Sequence, residues 1–199
     1  ELLRDGTNTI AVMLGNGWYK GRFGYLGGGK ETGIYGDDYL LSAELRITYE
    51  DGREESIRTD DSWMCVKSPV LSSGIYDGEV YDGRIGFWKE DGGIAEEWRK
   101  TAQPAAAAKK ESLPAGTVEE RLSLPLVIHE RIGSPKLILT PKKEQVLDFG
   151  QEISGWVEFD CPADCEGEIL LQHGEILQDD CFYRDNLRTA KAEFTYICP

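Results

Sequence analysis

The chain is 199 residues long, a length that fits one or two domains and is ample for a buried core. Its formal charge of -14 excludes nucleic acid and anionic membranes as natural partners, because both demand clustered Lys and Arg. Neutral sugars and cations such as calcium remain compatible, and 23 glycines among many aromatics suit short strands joined by tight turns.

The opening residues Glu1 to Gly6 read as a turn leading into a strand, not as the start of a domain. A first sandwich that lacks an edge strand is therefore expected. Thr9 to Leu14 is a short, β-branched apolar run and predicts a buried strand. Gly15 to Tyr19 and the glycine-rich stretch Gly24 to Gly36, with its Gly27-Gly28-Gly29 run, predict loops. The triple glycine carries no phosphate-cradle pattern, since no GxxxxGK[ST] spacing and no helix follow it.

Leu41 to Tyr49 alternates Leu41, Ala43, Leu45, Ile47 and Tyr49 with polar residues, the period of a strand with one wet face. Asp51-Gly52 supplies a hairpin turn, and Glu54 to Arg58 the return strand. A second turn at Asp60-Asp61-Ser62 leads into Trp63 to Lys67, and Ile75 to Ile85 reads as extended. From Thr101 to Gly116, prolines flank a run of alanines and predict a covering loop, so the domain boundary is placed near Arg99. Further strands are predicted over Lys136 to Thr140, Gln145 to Phe149, Trp156 to Asp160, Glu168 to Gln172 and Ala192 to Ile197. Many short strands at turn spacing, without helical periodicity between them, predict an all-β chain of two antiparallel, jelly-roll-like β-sandwich domains, 1–99 and 100–199.

The five cysteines, Cys65, Cys161, Cys165, Cys181 and Cys198, form an odd set without CxxC pairs or a nearby His. They are read as free thiols in a reducing cytoplasm. No apolar stretch approaches the roughly 20 residues of a membrane span. His129 and His173 have no ligand-spaced partner and are read as ordinary surface or interior histidines.

Several motifs in order carry a resemblance. Ala11-Val12-Met13-Leu14-Gly15-Asn16-Gly17-Trp18-Tyr19-Lys20-Gly21-Arg22 resembles the signature of the N-terminal sandwich of bacterial α-L-rhamnosidases, and Ile75-Tyr76-Asp77-Gly78-Glu79-Val80-Tyr81-Asp82-Gly83-Arg84 resembles that domain's second signature. Asp148-Phe149-Gly150-Gln151 with Gly155-Trp156, then His173-Gly174-Glu175 and Asn186-Leu187-Arg188-Thr189-Ala190, are similar to motifs of the sandwich that follows. The resemblance implies a bacterial enzyme acting on rhamnose-containing glycosides, placed in the cytoplasm by the thiol reading with secretion as the alternative. It also implies that catalysis belongs to an (α/α)6 barrel beyond Pro199, so no catalytic residue is assigned.

Adjacent acids, Asp37-Asp38, Asp60-Asp61 and Asp179-Asp180, suit turns better than glycoside hydrolysis, which needs two carboxyls facing one bond. Some relatives hold rhamnose on a sandwich domain with help from calcium. That implies an aromatic plate and hydrogen-bonding groups from Asn16, Trp18, Tyr19, Asp77 and Glu79, with Asp82 as a calcium ligand. The expected function is a non-catalytic accessory region of an α-L-rhamnosidase. The alternatives are a self-sufficient rhamnose-binding module and a structural scaffold whose uncovered apolar face would favour a homodimer.

Overall fold

The computed structural model describes residues 3–22, 33–86, 95–106 and 119–199. In chain order the strands are β1 (Glu44–Thr48), β2 (Glu54–Arg58), β3 (Met64–Cys65), β4 (Val70–Gly74), β5 (Gly78–Asp82), β6 (Gln103–Pro104), β7 (Lys136–Leu139), β8 (Gln145–Asp148), β9 (Glu168–Gln172), β10 (Ile176–Gln178), β11 (Cys181–Tyr183) and β12 (Glu193–Ile197). The helices α1 (Gly17–Lys20) and α2 (Glu96–Arg99) are single turns. The chain is all-β, the class that the alternation and turn spacing predict.

The β1–β2 hairpin forms where the sequence places it. Leu45 and Ile47 are half-buried while Glu44, Arg46 and Thr48 are exposed, which is the predicted wet-face alternation. Its turn is fixed by Gly52 at φ +80° and by the Arg53 N–H donating to Asp51 Oδ1 at 2.9 Å. On the wet face, Arg46, Ser56 and Arg58 all donate to the Glu44 carboxylate and hold its pKa down at about 2, the Arg46 bond contributing most.

The central element is a four-stranded sheet in the order β4-β5-β12-β9. β4–β5 is an antiparallel hairpin with a register shift between Val70 and Ser72, and β9–β12 is antiparallel as well. The β5–β12 pair is parallel, running from Glu193↔Gly78 to Ile197↔Asp82. This corrects the expectation of purely antiparallel sheets. A parallel pair needs a long connection, and here the whole second half of the chain is that connection. Three smaller antiparallel pairs, β3–β6, β7–β8 and β10–β11, complete the described strands.

Gly78 sits at the seam. Its φ of +92° excludes most side chains, and a Cβ there would collide with the backbone of Glu193. Across the same seam Tyr81 stacks on Tyr196 at 5.8 Å, and Phe159 meets Tyr196 edge-on at 5.8 Å. Farther out, Glu144 ties two hairpins together: it accepts from the Thr140 hydroxyl at 2.7 Å and from the Phe182 N–H at 3.1 Å.

Several expectations are corrected. Thr9 to Leu14 and Trp156 to Asp160 form no strand, and their apolar side chains are exposed. Gly15 to Tyr19 is not all loop, because α1 starts at Gly17. Ile75 to Ile85 is interrupted by the turn that lets β5 double back on β4. The covering loop after Arg99 first contributes β6. The five-thiol reading fails at one pair: Cys165 and Cys198 form a disulfide, with Cα atoms 5.7 Å apart. The β9–β12 pairing brings them together, with the Cys198 N–H donating to Gly167 O at 2.9 Å. Their sequence spacing gives no hint of it. The Gly27-Gly28-Gly29 run lies outside the described residues, as do the last two alanines of the alanine run.

Gly78→Ala is expected to destabilise the chain by about 2–4 kcal/mol, because it adds a backbone clash to left-handed strain. Gly52→Ala, with the same strain but open space around it, is expected to cost only about 1–2 kcal/mol. Urea unfolding of the two variants checks the ordering.

Candidate functional site

The residues of the first signature come together around α1. Asn16 precedes the helical turn, and its carbonyl accepts the Lys20 N–H at 3.0 Å. Its side chain does not cap the turn. Instead Asn16 Nδ2 donates to the Ser73 carbonyl at 2.7 Å, fixing α1 to β4, while Oδ1 accepts from the Tyr39 hydroxyl. The Lys20 ammonium lies 4.1 Å above the Tyr39 ring, a cation–π contact.

Arg22 reaches further. One guanidinium nitrogen donates to Asp77 Oδ1 and to the Thr189 carbonyl, each at 3.0 Å, and the other donates to Thr189 Oγ1 at 3.0 Å. The guanidinium also faces the Tyr76 ring at 5.2 Å. One side chain thus joins the first signature, the β4–β5 turn and the segment leading into β12. Its fork geometry makes this possible where a lysine would offer a single point charge.

These contacts frame a cavity of about 320 Å³, whose walls include Asn16, Lys20, Arg22, Asp77, Glu193 and Thr195. The lining is mixed in charge and rich in hydroxyl, carbonyl and carboxylate groups, an inventory suited to a small polyhydroxyl ligand. Glu193 is held in place by Gln172 Nε2 at 2.9 Å and Arg184 Nη1 at 3.2 Å, and these bonds, led by Gln172, keep its carboxyl below the ordinary range.

The predicted site residues separate into three groups. Asn16 and Asp77 share the cavity, both already bonded to neighbouring segments. Glu79 adds to the wall, but strand alternation turns its side chain to the opposite face, the one shared with Tyr81 and Phe194. Burial there raises its carboxyl pKa. Trp18 and Tyr19 do not line the cavity: Trp18 is 55% exposed on α1, and the Tyr19 hydroxyl rests against Gly36.

Asp82 lies outside the cavity lining: it is buried, and its two oxygens accept from Arg84 Nε and Nη2 at 2.8 Å each, which lowers its pKa. The adjacent acids have structural roles as well. Asp60 accepts from the Ser62 N–H at 2.9 Å, and Asp179 and Asp180 turn the β10–β11 hairpin with φ of 51° and 57°. Two successive left-handed residues are the pattern of a tight hairpin turn.

Arg22, Lys191, Glu193 and Thr195 also line the cavity and are not singled out as site residues from the sequence. They come from opposite ends of the chain, brought together by the β5–β12 register and by the bonds from Arg22 to Asp77 and Thr189. The sequence signals nearest to them are the first signature, which Arg22 closes, and the Thr189-Ala190 motif just before Lys191.

The chain is thus all-β, with its two halves sharing one mixed sheet beside a small polar cleft. Residues 1–130 match the family described as Alpha-L-rhamnosidase N-terminal domain, and residues 138–199 match the Bacterial alpha-L-rhamnosidase concanavalin-like domain. The chain belongs to the α-L-rhamnosidase family. It is 29% identical to the α-L-rhamnosidase of Streptomyces avermitilis over 197 residues, covering 98% of this chain and 18% of that protein. To an α-L-rhamnosidase of Formosa agariphila it is 28% identical over 203 residues, covering 99% and 21%. Among solved structures, α-L-rhamnosidase from Dictyoglumus thermophilum aligns with a TM-score of 0.68 at 29% identity, over 92% of this chain and 19% of that one. The Streptomyces avermitilis enzyme complexed with L-rhamnose aligns at 0.65 and 28% identity, over 92% and 17%. The chain spans about a fifth of the length of the curated relatives it matches.

Asp77→Ala leaves the largely buried Arg22 short of one partner and is expected to cost about 1–3 kcal/mol in urea unfolding; Asp77→Asn, which keeps an acceptor, is expected to cost less. The depressed Glu193 pKa carries a pH signature. A carboxyl with a lowered folded pKa adds stability above its unfolded pKa, and that stability is lost as pH falls through the folded value. Thermal melts from pH 6 downward are therefore expected to show a decline that is shallower in Glu193→Gln.

Proposed function

We propose that this chain is a non-catalytic accessory region of an α-L-rhamnosidase, bracing the (α/α)6 barrel of a longer enzyme that releases terminal α-L-rhamnose from glycosides. The observation that carries this reading is exposed apolar surface among the described residues: Leu122, Leu124 and Leu126 are 86–95% exposed, and Val12, Met13 and Trp156 are exposed too. Apolar surface on that scale belongs against another part of a larger assembly. The chain's coverage of about a fifth of its relatives supports the rest of the same polypeptide as that part.

A second reading, supported by the polar cavity and by Trp18, which is exposed on α1 outside the cavity lining, is that the region also holds a rhamnose-class sugar. Hydroxyls of the sugar would bond to the cavity's carboxylates and amides, and the indole would offer a plate for its apolar face.

Assay of the purified chain on an aryl α-L-rhamnoside, beside the full-length protein, tests the first reading. Turnover by the full-length protein alone is expected, and turnover by the chain would overturn it. Calorimetry with millimolar L-rhamnose, with and without a calcium chelator, tests the second. Trp18→Ala is expected to weaken any binding about tenfold while costing under about 1 kcal/mol of stability, since the ring is half exposed.

A further inference from the structure

Three of the five cysteines converge at one end of the central sheet. The Sγ atoms of Cys161, Cys165 and Cys198 all lie within 4.8 Å of one another. Cys161 and Cys165 flank a tight loop closed by the Cys165 N–H donating to Pro162 O at 3.0 Å. Cys198 arrives from the end of β12 and is buried, held beside the loop by its N–H bond to Gly167 O. The other two cysteines take no part: Cys65 is exposed in β3, and Cys181 is buried at the start of β11.

A disulfide between Cys165 and Cys198 accounts for two of these sulfurs, and the third, on Cys161, donates to the Pro162 carbonyl at 3.6 Å. A metal ion accounts for all three. Zinc binds thiolates at about 2.3 Å in tetrahedral geometry, which sets the sulfurs about 3.8 Å apart, within the span of this cluster. The loop also carries Asp160, Asp164 and Glu166, a local negative field that favours a cation.

We propose that Cys161, Cys165 and Cys198 form a three-thiolate site for a soft divalent cation of the zinc class, with water in the fourth position, and that the Cys165–Cys198 disulfide is its oxidised, metal-free state. Conversion between the two is balanced by a dithiol reductant. Two electrons and two protons from the dithiol open the disulfide to two thiols, and the dithiol closes to its own disulfide. The cation then displaces a proton from each of the three cysteines. The site pins the end of β12 to the loop before β9 in either state. It is independent of the rhamnosidase reading.

The test uses the full-length protein, reduced, freed of reductant under anaerobic conditions and titrated with Co²⁺. Thiolate-to-cobalt charge-transfer and tetrahedral d–d bands saturating at one equivalent at this site, and bleached by Zn²⁺, are expected. Cys161→Ser is expected to weaken Co²⁺ binding on the order of 100-fold. Cys65→Ser is expected to change nothing. Because a variant can fail to fold, a second readout uses the wild type: alkylation mapped by mass spectrometry, with and without Zn²⁺. Protection of Cys161, Cys165 and Cys198 by Zn²⁺, with Cys65 still labelled, supports the site. Equal labelling in both samples, or cobalt bands unchanged in a folded Cys161→Ser variant, overturns it, and leaves the cluster as a disulfide with a bystander thiol.

Discussion

The parallel pairing of β5 with β12 is the constraint on which the rest of the structure depends. It brings together two segments separated by more than half the chain, and closing a loop of roughly a hundred residues costs about 4 kcal/mol of chain entropy before any contact forms. Backbone bonds along five register pairs offset part of that cost. Arg22 adds three bonds bridging to Asp77 and Thr189, the Tyr81–Tyr196 stack adds aromatic contact, and the Gln172–Glu193–Arg184 cluster fixes the first residue of β12. The Cys165–Cys198 bond holds the last turn of the same strand. Each of these fasteners would be weak alone on a solvated surface. They act together because they constrain one juxtaposition from several directions.

That arrangement gives the signature segments a physical meaning. Asn16, Arg22, Asp77 and Gly78 all belong to motifs that resemble the α-L-rhamnosidase family, and all four act at or beside this seam. Asn16 and Arg22 are bonded across segments, Asp77 is the anion that Arg22 needs, and Gly78 is the position where β12 approaches too closely for a side chain. A motif rich in Asn, Arg, Asp and aromatics invites a ligand-binding reading. Much of its polarity is instead taken up in holding backbone together, and the cavity is the space left between the fasteners.

What the sequence makes legible is local. The β1–β2 hairpin follows from five alternating residues and an Asp-Gly turn, and β7, β8, β9 and β12 follow from short apolar runs between turn residues. The sites of failure are non-local. The β10–β11 hairpin hides behind Asp179-Asp180, which reads as an acidic pair until both residues are seen at positive φ. Thr9 to Leu14 has a strand's composition, but composition cannot say whether an edge is present to receive it. Glu79 and Asp77 are two residues apart, yet one lies in a turn facing the cavity and the other in a strand that faces the aromatic side. No pattern in the sequence announces that β5 begins between them.

The shared sheet also changes what the two halves are. The family matches meet between residues 130 and 138, and the composition shift near Arg99 suggests an earlier boundary. Neither division follows the hydrogen bonds. Cutting at either place would strip β12 from β5 and leave each half with an open strand edge and a row of unpaired backbone groups. It would also separate Arg22 from Thr189 and Gly78 from the strand that approaches it. Two sequence blocks thus share one sheet, because the pairing across the seam and its fasteners offset the entropy of closing the chain between them. A joint of that kind ties the position of one block to the position of the other through one set of backbone bonds.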